Sequence, residues 1–421
     1  MKKPIAISLL VLFAVSLHAQ DAISSLAGQA LVSGATNGTG TNALFSDPAA
    51  IVVDTNGNFF VADSQNHAIR KVTKLGAVTT FAGKLGIPGD NNGISTSAQF
   101  DSPTGLAFDL AGNLFVADTG NNTIRKITSG GSVSTIAGVA GQSGFQDGAT
   151  GAALFNSPLG ITVATNGTIF VADSGNHVIR AISGGNVGTL AGTPCVWGST
   201  DATGTNSQFN GPCGLVVDTH GNLFVSDANN HTIRKILPNG AVTTFAGTPG
   251  VSGSADGELQ TATFSQPAEL AFDKKGNLFI ADSFSHIIRR ISTNGIVSTI
   301  SGVAGNFGSV DGVNGEGRLY NPYGLAIAPD GSLKVADAYN ELIRTVIVPF
   351  TVVLQKSGSS YAATISWDGV IGRTYQVQYK NSVESLWSNL DAPIVAEAVA
   401  NSKTDNAANG SQRFYRVILN Q

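Results

Sequence analysis

VADSQNHAIRKV (61–72), VADTGNNTIRKI (116–127), VADSGNHVIRAI (171–182), VSDANNHTIRKI (225–236), IADSFSHIIRRI (280–291) and VADAYNELIRTV (335–346) are one segment written six times. The aspartates Asp63, Asp118, Asp173, Asp227, Asp282 and Asp337 and the arginines Arg70, Arg125, Arg180, Arg234, Arg289 and Arg344 both advance by 55, 55, 54, 55 and 55 residues. A fixed period of this length marks a repeat architecture, in which each copy is one supersecondary unit that buries its faces on its neighbours.

Working outward from the segment, each copy also holds a short apolar run after a proline (SPTGLAFD, 102–109), a Gly-Asn turn, the run LFVAD (114–118) and a fourth run such as GSVSTIAG (131–138). Runs of four to seven residues rich in Val, Ile, Phe and Thr, punctuated by Gly-Asn or Asp-Gly, are too short for helices. Each copy therefore predicts a four-stranded antiparallel sheet, and the fold class is all-β. Six similar sheets that stack radially bury their faces and leave only short edges, which predicts a six-bladed β-propeller. The fourth run recurs after copies one to five, yet nothing like it follows Arg344, whereas AISSLAG (22–28) precedes the first copy. The N-terminal strand is expected to complete the sixth blade.

The combination of proline, short strand, Asp-x-x-Gly-Asn and VADxxNHxIRK resembles the NHL repeat over residues 22–348. Ala164 and Ala328 stand where the other copies have Asp54, Asp109, Asp218 and Asp273, and should loosen two turns. The resemblance implies a six-bladed propeller whose relatives include lactone hydrolases, streptogramin lyase and the peptide-amidating lyase, with acidic, Asn or His residues around the axis. None of their site residues maps onto this chain.

Composition bounds the rest. Residues 1–20, with Lys2 and Lys3 ahead of an apolar run from Ile5 to Leu17 and a small residue at Ala19, read as a signal peptide, which places the protein in the periplasm, at the cell surface or outside the cell. The run is shorter than a bilayer requires, and no later segment is long enough to span one. Loss of Lys2 and Lys3 takes the formal net charge from −4 to −6, and no basic cluster is left to follow a phosphate backbone, so nucleic acid is not an expected partner. The expected division is a signal peptide at 1–20, a propeller at 21–349 and a small β-domain at 350–421. The last segment, through WDGVIGRTYQVQYK and RFYRV, resembles the fibronectin-III-like domains at the ends of exported bacterial proteins.

A residue present in every copy belongs to the blade. The repeated aspartates are expected to accept backbone N–H bonds in a turn, and the arginines to pair with carboxylates or carbonyls between blades. His67, His177, His231 and His286 share one position with Asn122 and Glu341, and are read as turn residues too far apart to share a metal. The G-x-S-x-G, H-E-x-x-H, phosphate-loop and EF-hand signatures are absent from the sequence. No cofactor is therefore expected, a divalent metal at the axis belonging only to the alternative reading, a lyase or hydrolase.

Function is sought where the repeat breaks. Glu269 and Ala50 replace the Gly of PTGL, PLGI, PCGL and PYGL, and the preceding position varies as Ala49, Thr104, Leu159, Cys213, Ala268 and Tyr323. Phe284 and Tyr339 occupy hairpin tips that elsewhere hold Gln65, Gly120, Gly175 and Asn229. Trp197, Glu269, Phe284, Tyr323, Tyr339 and Glu341 are predicted to gather on one face over blades four to six and to bind a protein, peptide or glycan. Cys195 and Cys213 form a possible disulfide beside them.

Overall fold

The computed structural model describes residues 22–313 and 315–347 and, toward the C-terminus, 353–357, 362–368, 373–380, 386, 388–397, 400–405 and 414–420. The expected signal segment lies outside the described residues. The chain divides into two compact units, Asp21–Val348 and a second that contains Pro349–Gln421.

The first unit holds six antiparallel sheets of four or five strands, and the described helices are all single 3-10 turns. Repeat two shows the pattern. An inner strand Pro103–Phe108 is followed by Leu114–Asp118, Thr123–Ile127 and an outer strand Ser132–Ala137, with the two-residue strand Gly93–Ile94 beyond it. Second and third strands are buried along almost their whole length because both faces of every sheet meet another sheet.

In the last sheet, the outer strand comes from the N-terminus. Ala22–Ala27 pairs antiparallel with Leu342–Ile347, setting Ser24 opposite Thr345 and Ser25 opposite Arg344. Main-chain hydrogen bonds thus tie the two ends of the repeat series together.

Inner strands run past one another at van der Waals distance, which explains the glycine in the inner-strand motif. A Cβ on Gly105 would lie 2.1 Å from the Leu159 carbonyl oxygen, and one on Gly160 2.0 Å from that of Cys213. Gly214 meets Ala268 and Gly324 meets Ala49 in the same way, at 2.2 and 2.5 Å. The second of these joins repeat six to repeat one, so the inner strands form a closed cycle.

Each repeat is pinned by its buried aspartate and arginine. Arg125 Nη1 donates to Asp118 at 2.6 Å and to the Gln99 carbonyl at 2.9 Å, while Nη2 reaches the Asn91 carbonyl and Asn92 Oδ1. The Asp118 carboxylate also accepts the Asp101 amide and Asn121 Nδ2. All six pairs are fully buried, and five of the guanidinium groups lie 5.0–5.2 Å over a phenylalanine ring (Phe45, Phe100, Phe155, Phe209 and Phe264). A buried charge survives at this density of partners and is costly when one of them is removed. The aspartates do accept the expected amides; the arginines bind within their own sheet and its incoming connection.

The two Ala-for-Asp turns are not loosened. Asp54 Oδ1 accepts the amides of Asn56 and Asn58, whereas at Ala164 the Thr168 amide is taken by Asn166 Oδ1, and at Ala328 the Ser332 amide is taken by Asp330 Oδ1. A side-chain oxygen two residues further along replaces the missing carboxylate.

In the C-terminal unit, Val353–Ser357, Ala362–Asp368 and Ala400–Asp405 form one sheet, and Thr374–Lys380 pairs with Phe414–Asn420 in another. Ile365, Tyr375, Val377, Ala396 and Val417 make its core.

Candidate functional site

After the buried aspartate, each repeat makes one 3-10 turn and then passes through a residue with positive φ: His67, Asn122, His177, His231, His286 or Glu341, at φ 54–61°. The side chain of that residue accepts a backbone N–H from the following repeat. Ser102, Gly211, Gln266 and Asn321 donate to the histidine Nδ1 atoms at 3.1–3.2 Å, and Ser157 donates to Asn122 Oδ1 at 2.8 Å. The Asp47 amide donates to Glu341 Oε2 at 2.6 Å. These are latches between neighbouring repeats, and among the described residues no three His, Cys, Asp or Glu side chains converge as metal ligands would.

Above the latches, the connections between repeats each begin with a tight turn seated on the preceding 3-10 turn. Leu31, Gly86, Gly141, Cys195, Gly250 and Gly305 donate their amides to carbonyls of Asn340, Asn66, Asn121, Asn176, Asn230 and Ser285 at 2.9–3.2 Å. Side chains at and just after these turns project outward, and so Leu31, Ile87, Val196, Trp197, Val251 and Phe307 are 42–69% exposed. Phe284 and Tyr339, at the tips of the 3-10 turns of repeats five and six, are exposed by 52% and 50%.

Around repeat six these residues join into an aromatic cluster. Phe307 stacks on Tyr320 at 4.4 Å and 22°, Tyr339 meets Tyr320 edge-on at 5.1 Å, and His286 meets both Phe307 and Tyr320 edge-on. Contacts of this kind hold rings in place while leaving the outer ones open.

The axis holds a separate group. Cys213 Sγ and Tyr323 Oη lie 2.9 Å apart, bridging inner strands of repeats four and six across repeat five. Glu269 stands where four other repeats need glycine, close enough for its charge to act on both. Burial pushes the Glu269 carboxyl up to about 8 and the Cys213 thiol up to about 12, leaving all three groups protonated at neutral pH.

Of the predicted gathering, the structure places Trp197, Phe284 and Tyr339 exposed on connections and turns at one end of the repeats, Tyr323 and Glu269 at the axis, and Glu341 in a latch. Only Tyr339 is in the aromatic cluster. Sequence reasoning misses Phe307 and Tyr320; aligning the connections on their first turn, Cys195 with Gly305, puts Phe307 at the position of Trp197 and would find it. The possible Cys195–Cys213 disulfide is not formed: both thiols are free, Cys195 exposed beside Asn176 and Cys213 buried against Tyr323.

Residues 45–72 and 209–236 match the NHL repeat, and residues 93–183 match the Teneurin NHL domain. The matched stretches are NHL-type repeats. NHL repeat-containing protein 2 of Bos taurus is 29% identical over 338 residues, covering 71% of this chain and 46% of that protein. Protein SUPPRESSOR OF QUENCHING 1, chloroplastic, of Arabidopsis thaliana is 28% identical over 278 residues, or 62% of this chain and 26% of that protein. The chain thus spans less than half the length of these curated relatives. Among solved structures, a structural genomics protein of unknown function from Bacteroides thetaiotaomicron superposes with a TM-score of 0.61 at 21% identity, covering 78% of this chain and 76% of that one. An auxiliary nutrient binding protein of the same organism gives a TM-score of 0.59 at 13% identity, with 77% and 76% covered. These likenesses carry the NHL-type propeller fold.

Proposed function

We propose that this NHL-repeat chain is an exported six-bladed β-propeller with a fibronectin-III-like C-terminal domain, and that it binds a protein, peptide or glycan through the face built by its connections. Six sheets in a cycle of inner strands support the blade count. The observation that carries the binding reading is that exposed apolar side chains recur at one turn in five of the six connections, which a fold alone does not require. The aromatic cluster of Phe307, Tyr320 and Tyr339 is the best-formed part of that face. Export is supported by the basic and apolar composition of residues 1–20, and no described helix is long and apolar enough to cross a membrane. A nutrient binding protein stands among the structural neighbours, which accords with a binding role.

The test is direct binding of the purified chain to peptide and glycan arrays, repeated with Phe307→Ala combined with Tyr339→Ala. A signal that falls at least tenfold in the double variant, with unchanged Tm, supports the reading. Array binding indifferent to both rings would overturn it.

A further inference from the structure

The connection face also carries charge, and it is unevenly distributed. Through residues 28–47, 83–102, 138–157, 192–211, 247–266 and 302–321 the only cations are Lys84 and Arg318, against the nine acids Asp47, Asp90, Asp101, Asp147, Asp201, Asp256, Glu258, Asp311 and Glu316. The Arg318 guanidinium is occupied by the carbonyls of Gly315, Glu316 and Gly317.

Four of the acids have no structural need to be acids. In repeats three to six the buried arginine is shared by two carboxylates: Arg180 by Asp173 and Asp147, Arg234 by Asp227 and Asp201, Arg289 by Asp282 and Asp256, Arg344 by Asp337 and Asp311. In repeats one and two the outer partner is Asn37 or Asn92, which accepts the same Nη2 bond at 2.9 or 3.0 Å. An amide is therefore sufficient for the fold. Repeats one and two balance one arginine against one carboxylate in this motif, whereas repeats three to six each keep one negative charge in excess. The outer carboxylates also accept the amide and hydroxyl of Thr189, Thr244, Thr299 and Ser25 respectively, yet the side chains of Asp147, Asp201, Asp256 and Asp311 stay 43–51% exposed, so an approaching cation can reach them.

The same arc holds the exposed aromatic rings: Trp197 and Phe307 precede Asp201 and Asp311 by four residues, and Phe284 and Tyr339 tip repeats five and six. Asn230 and Asn340 give their amide groups to the Gly198 and Gly308 carbonyls and to Asp227 and Asp337. We infer that the arc of repeats three to six docks a basic, apolar polypeptide segment, whose aromatic or aliphatic side chains cover Phe307 and Tyr339 and whose lysines or arginines meet Asp201, Asp256 and Asp311. This rests on the binding reading above and names its partner class.

Four sets of synthetic 12-residue peptides test it by fluorescence anisotropy on the full chain: Leu/Phe with Lys/Arg, Leu/Phe with Glu, Ser with Lys/Arg, and Leu/Phe with Ser. Sulfate-free glycans serve as the competing class. The basic apolar set is expected to bind at least tenfold tighter than each other set, and to weaken severalfold between 50 and 500 mM NaCl. Asp201→Asn with Asp256→Asn and Asp311→Asn, which copies repeats one and two, should erase the preference for basic over acidic peptides without lowering Tm. Equal binding of acidic and basic apolar peptides, a preference that survives the triple variant, or recognition of glycans alone overturns the inference while leaving the face a binding site. Absence of any Phe307- and Tyr339-dependent ligand overturns both.

Discussion

The Glu341 carboxylate accepts the Asp47 amide at 2.6 Å, so the last repeat is latched to the first by the same side-chain position that latches every other neighbouring pair. Burial, reinforced by the charges of Asp47 and Asp63, pushes the Glu341 carboxyl up to about 7 despite that amide bond. Glu341→Gln keeps an acceptor and removes the charge. It should match or exceed the parent in urea denaturation at pH 8, while Glu341→Ala loses about 1–3 kcal/mol by leaving a partly buried amide unpaired.

The histidine latches respond to acid. An Nδ1 that accepts an N–H cannot also carry a proton, and burial holds His177, His231 and His286 below the ordinary range. With folded values depressed, the stability these groups provide is present above about pH 6.5, the unfolded value, and lost as pH falls through the folded one. Exchanging all three for Asn, the residue that already serves as Asn122, should flatten the fall in Tm between pH 7 and 5. An unchanged slope would contradict the latch.

Glu269 acts in the opposite direction. Its folded carboxyl is raised to about 8, so the stability of the neutral form is full below about pH 4.5 and lost as pH rises through 8. Glu269→Gln should remove a loss of up to a few kcal/mol that the parent shows between about pH 4.5 and 8, measured by urea midpoints across that range.

Arg234→Met would leave the buried Asp227 carboxylate with amide donors alone, and is expected to cost about 3–5 kcal/mol, whereas Asp201→Asn on the other side of the same guanidinium should cost under about 1 kcal/mol. Denaturant unfolding of the two variants distinguishes the fold-bearing carboxylate from the dispensable one.

Much of this architecture can be read from sequence because the period aligns residues with identical roles. Strand lengths, the aspartate turn and the donation of the sixth sheet's outer strand by Ala22–Ala27 all follow from it. The latches do not: the partner of His67 is the amide of Ser102, 35 residues on, and a backbone donor leaves no mark on the sequence. Tyr323 shows the converse error. It breaks the repeat as a surface residue would, yet its hydroxyl meets Cys213, which holds the same inner-strand position in repeat four. Phe307 escapes notice for a third reason, since connection residues align by their hydrogen-bonded turn rather than by hydrophobic pattern.

Hydrogen exchange of the amino-terminal strand probes ring closure most directly. Peptides covering Ala22–Ala27 should exchange as slowly as those covering Ala77–Ala82 or Ser132–Ala137, the outer strands of repeats one and two, and Glu341→Ala should accelerate them selectively. Exchange of residues 22–27 at the rate of a free chain, with the other outer strands protected, would contradict a closed ring of six sheets.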